Sequence, residues 1–165
     1  MDELPALSIR NAEVNDVFQI ADIWNNGWHD AHRDVVPETL VELRTQESFR
    51  ERTAALVNCA RVVVTGSEVV GFHMLQENEL YQMYVAPIAR GAGAAQPLMR
   101  DALSKLASTG HSTAWLACAV GNTRAMRFYE KCGWRNTGVG PVELDVSTGN
   151  FTLDVLRYEI DLTAK

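Results

Sequence analysis

The apolar positions of the chain change period along its length, and those changes mark out its elements. From Glu13 the residues Val14, Val17, Phe18, Ile20, Ala21, Ile23 and Trp24 follow a helical stripe, which Gly27 is expected to interrupt. A second helix is predicted over residues 38–56, because Pro37 suits a helix start. The pattern then shortens to strand-like runs at residues 61–65, 69–76 and 80–85. Gly66-Ser67-Glu68 and Glu77-Asn78 separate them, so they read as an antiparallel meander. After Pro87 a glycine-rich turn leads into a helix that runs to about residue 107, punctuated by Gly110. Residues 113–120 read as an apolar strand and residues 122–132 as a short helix ended by Gly133. Two further strands are predicted at residues 134–139 and 151–160, joined by a loop around Gly140-Pro141 and Gly149-Asn150. With a short first strand at residues 7–10, the order describes a mixed α/β (α+β) fold. Its central sheet is mostly antiparallel, of six to seven strands, with helices on both faces. No repeat or linker divides residues 1–165, so a single domain is expected.

Composition narrows the functional classes. At 165 residues, with 47% hydrophobic and 22% charged positions, the chain matches an ordinary globular protein with a real core. A net charge of -6 argues against a nucleic-acid binder, which needs a basic face to replace phosphate counterions. The same charge fits a cationic or neutral substrate slightly better than an anionic one. Cys59, Cys118 and Cys132 lack metal-ligand spacing, so no metal is expected, and Cys118 and Cys132 read as buried thiols. No segment approaches the roughly 20 apolar residues that span a bilayer. Residues 1–5 show no secretory signal, and a reducing cytoplasm is the expected setting.

The stretch Tyr84-Val85-Ala86-Pro87-Ile88-Ala89-Arg90-Gly91-Ala92-Gly93-Ala94-Ala95 carries the chemistry. A strand ends, a loop of small residues follows, and a helix begins. Free N–H groups at such a helix start favour an anion, and small side chains let a pyrophosphate approach the backbone. Pro97 falls in the first turn, where its missing N–H matters little. An ordinary tight turn would look similar. A dinucleotide fingerprint would want glycine or alanine where Gln96 stands, and a P-loop would need Gly-Lys-Ser/Thr, which is absent.

The spacing of Arg90, Gly93 and Ala95 resembles the coenzyme A loop of the GNAT acetyltransferase superfamily. Downstream, the run from Asn122-Thr123-Arg124-Ala125 through Phe128-Tyr129-Glu130-Lys131-Cys132-Gly133-Trp134 resembles that family's second signature. The resemblance implies an acetyl-CoA-dependent N-acetyltransferase, acting on an amine of a small molecule or peptide by direct transfer in a ternary complex. Acetyl-CoA would be a co-substrate, and relatives are often homodimers. Two alternatives remain open: a non-catalytic acyl-CoA sensor or partner with this fold, and an acyltransferase using another acyl group or a hydroxyl acceptor.

The resemblance also distributes roles. Tyr129 matches the tyrosine beside the coenzyme sulfur and is the candidate acid; an unperturbed phenol, with a pKa of about 10, keeps its proton at neutral pH. Glu79, at the entry to the strand that exits through Val85, is the candidate base, with Glu77 and His73 as substitutes; it also reads as a solvated turn residue. Strand alternation puts Glu79 on one face with Tyr81, Met83 and Val85. Met83, Tyr84 and Val85 would line the coenzyme, and the backbone N–H near Val85 would polarise the thioester carbonyl. Arg90, Gly91, Ala92, Gly93, Ala94 and Ala95 would hold the pyrophosphate. Asn122 would bond the pantetheine arm, cap the following helix, or both, with Ala125 and Phe128 beside it. Trp28, His29, His73 and Tyr81 are candidate acceptor contacts. Trp24, Trp28, His29 and His32 would form aromatic walls for an apolar or cationic group, or the tryptophans would simply pack in the core.

Overall fold

A computed structural model describes residues 6–163; residues 1–5, where the sequence shows no secretory signal, lie outside the described residues. Seven strands form one sheet: β1 (Leu7–Asn11), β2 (Ala60–Thr65), β3 (Glu68–Gln76), β4 (Glu79–Val85), β5 (Thr113–Ala119), β6 (Arg135–Val146) and β7 (Gly149–Asp161). Their order is β1-β2-β3-β4-β5-β7-β6. Every neighbouring pair is antiparallel except β4 and β5. Among the described residues six α-helices complete the fold: α1 (Val17–His32), α2 (Glu38–Leu43), α3 (Gln46–Leu56), α4 (Pro87–Arg90), α5 (Ala95–Ser108) and α6 (Thr123–Lys131). Among the described residues, no helix is long and apolar enough to cross a membrane.

The core divides into clusters on the two faces of the sheet. Ile20 and Trp24 of α1 and Phe49 of α3 pack on Val62, Phe72 and Met74. Met99, Ala102 and Leu106 of α5 pack on Leu80, Leu116 and Tyr158. Full burial of side chains this large contributes on the order of 1.5–3 kcal/mol each before entropy is counted, so these layers hold the sheet in place around the site.

Three elements depart from the sequence expectation. Helix α1 runs through Gly27 instead of stopping there. Glycine is required at that point because a Cβ would lie 2.5 Å from the Tyr84 ring, which presses against the helix. The helix expected over residues 38–56 is two helices, broken at Arg44-Thr45. Thr45 caps the second one by accepting a hydrogen bond from the Ser48 amide. The loop expected around Gly140-Pro141 is instead part of a long hairpin of 12-residue β6 and 13-residue β7. Proline is tolerated more readily there because β6 is the edge strand, one side of which carries no neighbouring strand.

Candidate active site

The parallel pair β4–β5 is what opens a site. The two strands meet at a single register position, Glu79 opposite Trp115, and separate beyond it. Hydrogen bonds tie this vertex: the Trp115 amide donates to the Asn78 carbonyl, and the Asn78 side-chain amide donates to the Thr113 carbonyl, both at 3.1 Å. Above the vertex the edge groups of both strands face a cavity of about 680 Å³. Strand β4 forms one wall from Glu79 to Val85, and Trp115, Ala117, Cys118 and Ala119 of β5 form the other.

A bulge shapes the first wall. Leu75 pairs with Leu80 but Met74 pairs with Gln82, so Tyr81 is an extra residue in β4. A bulge of this kind leaves the extra residue out of the ladder and reverses the alternation after it. Tyr81 and Tyr84 therefore both pack toward the α1–α3 cluster, whereas Met83 and Val85 pack toward α5. The expected single face shared by Tyr81, Met83 and Val85 is thus corrected. Uniform alternation cannot survive an inserted residue.

Glu79 and Tyr129 both line this cavity. Burial raises the Glu79 carboxyl to about 7, against a smaller opposing pull from Arg157. Tyr129 lies within ring-contact range of Phe128, Trp134 and Tyr158, with centroids 5.8, 6.4 and 6.0 Å away. Burial, then the Cys118 and Cys132 thiols, push its hydroxyl well above the ordinary phenol range. Burial raises the Cys118 thiol to about 11, so it remains a thiol at neutral pH and is a poor nucleophile.

Most other sequence-predicted residues converge here. Trp28, Tyr81, Met83, Tyr84, Val85, Arg90, Ala95, Asn122, Ala125 and Phe128 all line the cavity. Asn122 also caps α6, accepting from the Ala125 amide at 3.4 Å, so its two readings coexist. Gly91, Ala92, Gly93 and Ala94 form the turn between Arg90 and Ala95 without lining the cavity themselves. The amides of Ala92, Gly93 and Ala94 close that turn with bonds of 3.2–3.4 Å. Gly93 has φ +75, a conformation that favours glycine. A Cβ at Gly91 or Gly93 would meet nothing within 4 Å. No side chain caps α5; Pro97 has no N–H and the Leu98 amide bonds the Ala94 carbonyl, so the first-turn amides left to meet an anion are those of Ala95 and Gln96.

Three expectations fall elsewhere. His73, fully buried on β3, places its Nε2 2.8 Å from the Asp101 carboxylate, which also forms a salt bridge with Arg61, and burial lowers the pKa of the imidazole. It lines a second cavity of about 380 Å³, together with Glu77. Neither substitute base therefore reaches the first cavity. His29 Nε2 lies 2.6 Å from the Arg44 carbonyl and fastens α1 to the α2–α3 break. It is a structural tie, not a wall of the cavity.

The sequence reading missed Arg52 of α3, Arg124 of α6 and the hairpin residues Val142, Glu143, Leu144 and Asp145, all of which line the cavity. Burial, and after it repulsion from Arg124, lowers the Arg90 pKa, against a smaller opposing pull from Asp30. Such a pair suits a polyanion at the cavity mouth. Among the described residues no cluster of His, Cys, Asp and Glu could hold a metal ion.

Comparisons with known proteins agree with this geometry. A sequence profile of the acetyltransferase (GNAT) family matches residues 19–134. An uncharacterized N-acetyltransferase of Mycobacterium bovis is 34% identical over 91 residues, covering 50% of this chain and 58% of that protein. The mycothiol acetyltransferase of Corynebacterium glutamicum is 36% identical over 74 residues, 42% of this chain and 25% of that one. The chain thus spans little more than half the length of the first of these relatives. The PaiA N-acetyltransferase of Thermoplasma acidophilum, solved in complex with coenzyme A, superposes with a TM-score of 0.73 at 16% identity, over 94% of this chain and 99% of that one. YncA of Salmonella typhimurium, a putative acetyltransferase solved with acetyl-CoA, gives 0.68 at 16% identity, over 97% and 96%. Strand splay, cavity lining and family profile lead to one identification: the chain belongs to the acetyltransferase (GNAT) family.

Proposed function

We propose that residues 1–165 act as one N-acetyltransferase domain, moving an acetyl group from acetyl-CoA to an amine of a small molecule or peptide within a ternary complex. The observation that carries this reading is that Glu79 and Tyr129 line one cavity, opened by the splay of β4 from β5. The open face of Gly91 and Gly93, the uncapped α5 and Arg90 fit the pyrophosphate of a coenzyme. Bound there, the coenzyme supplies a thioester whose acyl carbon accepts the amine. Unpaired backbone groups of β4 along the opening are positioned to hold the pantetheine arm and polarise the acyl carbonyl.

In the transfer a C–N bond forms, the C–S bond breaks, and two protons move. Glu79, with a pKa of about 7, takes the proton of the attacking amine. Tyr129, which keeps its proton at neutral pH, gives it to the departing sulfur. Solvent then returns the proton from Glu79 to the tyrosinate. No enzyme nucleophile is needed, and the protonated Cys118 is not called on.

The coenzyme site is tested by Gly91→Asp. Gly91 has φ -71 and ψ -15, so aspartate fits without backbone strain and adds only a side chain and a negative charge. Coenzyme A affinity, read by calorimetry, is expected to fall by more than about tenfold, or about 1.4 kcal/mol. Unchanged affinity in this folded variant would place the coenzyme elsewhere.

A further inference from the structure

The cavity carries, besides Glu79 and Tyr129, a guanidinium group whose hydrogen bonds are incomplete. Arg52 lines the cavity and donates from Nη2 to the Tyr81 hydroxyl at 3.2 Å. Its Cζ lies 4.2 Å from the Trp24 ring centroid and 5.5 Å from that of Phe49. Its Nη1 is buried and has no hydrogen-bond partner among the described residues. Arg44, only 3% exposed, lies close enough for Arg52 to help burial pull its pKa down to about 10. Arg44 donates to the Asp145 carbonyl at 2.7 Å, while its Nε also lacks a partner. Among the described residues, neither arginine forms a salt bridge. Asp145 eases Arg44 electrostatically, and Arg157, not Arg52, is the charge that acts on Glu79.

This arrangement bears on what the acceptor carries. Of the aromatic wall expected to receive a cation, Trp24 is already covered by Arg52, so a cationic group of the substrate does not belong on that ring. A buried donor without an acceptor is destabilising by about 1–3 kcal/mol, more when charged. Arg52 lines the cavity without a salt-bridge partner among the described residues, and a ligand carboxylate, the group a guanidinium fork binds best, supplies one. Stacking on Trp24 and the Tyr81 bond fix the fork in advance, so little side-chain freedom is lost on binding. Burial, then Tyr129, raise the Tyr84 hydroxyl well above the ordinary phenol range, against smaller opposing pulls from Arg52 and Arg44.

We propose that the acceptor is an amino acid, an amine that also carries a carboxylate, and that Arg52 binds the carboxylate while the amine faces Glu79. This deepens the acetyltransferase reading and rests on it. Such a zwitterion also suits the chain's net charge of -6 better than a net anion would.

The test compares acetyl-CoA turnover on matched pairs: each standard free amino acid and its carboxamide. At least one amino acid should exceed its carboxamide in kcat/KM by about tenfold or more, the size of a charge-assisted hydrogen bond. In Arg52→Gln that ratio should fall to near one; Arg52→Lys should retain part of it. Because the readout is a ratio within one protein preparation, a general loss of folded enzyme does not move it. Carboxamides accepted as well as their acids would overturn the proposal, as would a ratio that survives in Arg52→Gln. Turnover confined to amines without a carboxylate would remove the proposal and leave the acetyltransferase reading standing. No turnover on any amine would remove both.

Discussion

Replacing Tyr129 by phenylalanine is expected to lower acetyl-transfer turnover by roughly 10²–10⁴-fold, the usual contribution of a positioned general acid. The substitution keeps the ring that packs against Phe128, Trp134 and Tyr158. It deletes only a hydroxyl that makes no hydrogen bond to another described residue. Folding and coenzyme A affinity should therefore stay close to wild type. A departing thiolate would then have to take its proton from water, with no positioned donor beside it. Stopped-time assays of coenzyme release, beside a thermal melt and a coenzyme titration, separate the outcomes. Wild-type turnover would reduce Tyr129 to packing and favour the acyl-CoA sensor reading.

Glu79→Gln should lower kcat by a comparable factor at pH 7 while acetyl-CoA affinity changes little. The wild-type carboxyl titrates near 7, and a base must be ionised. Turnover should therefore rise about tenfold per pH unit below that value and level off above it. In the variant this rise disappears. High pH should partly restore its activity, because more of the free amine then arrives deprotonated. Stability should move in the opposite sense. Burial raises the folded-state carboxyl from 4.5 to about 7, so the ionised group strains the native state. The stability it retains at low pH is lost as pH rises from the unfolded value through about 7. The glutamine variant should thus melt higher than wild type at pH 8, with the gap closing below pH 4.5. A large loss without rescue would recast Glu79 as a contact for a cationic acceptor. No loss at any pH would take it off the catalytic list.

Much of this was legible in the sequence, because the coenzyme loop and the α6 motif are local. Arg90, Ala95, Asn122 and Tyr129 lie on short segments whose residue types match the family's motifs, and all four line the cavity. The misreadings share a different origin. Gly27 reads as a helix stop by propensity, yet it serves the Tyr84 ring that crowds it from another element. Pro141 reads as a loop, and only its position on the sheet edge makes it compatible with β6. Val142, Leu144 and Val146 alternate as the β6 strand requires. The Tyr81 bulge has no local signature, since it depends on the register β4 adopts against β3. His73 reads as a substitute base and acceptor contact, whereas its partner Asp101 lies 28 positions away on α5. Arg52 carries no motif at all. Its meaning comes from Trp24, Tyr81 and an unpartnered nitrogen that only the folded chain brings together.

The most direct test of the acetyltransferase assignment is mass spectrometry of the product. The purified protein is incubated with acetyl-CoA and a panel of amines, and each amine is examined for a gain of one acetyl group matched mole for mole by free coenzyme A. The assignment predicts a stable N-acetylated product that forms only with enzyme, acetyl-CoA and amine together, and that is lost in Tyr129→Phe. Tight acetyl-CoA binding with no acetylated amine across the panel, and no coenzyme released above background, would contradict it and leave a protein that holds the coenzyme without using it.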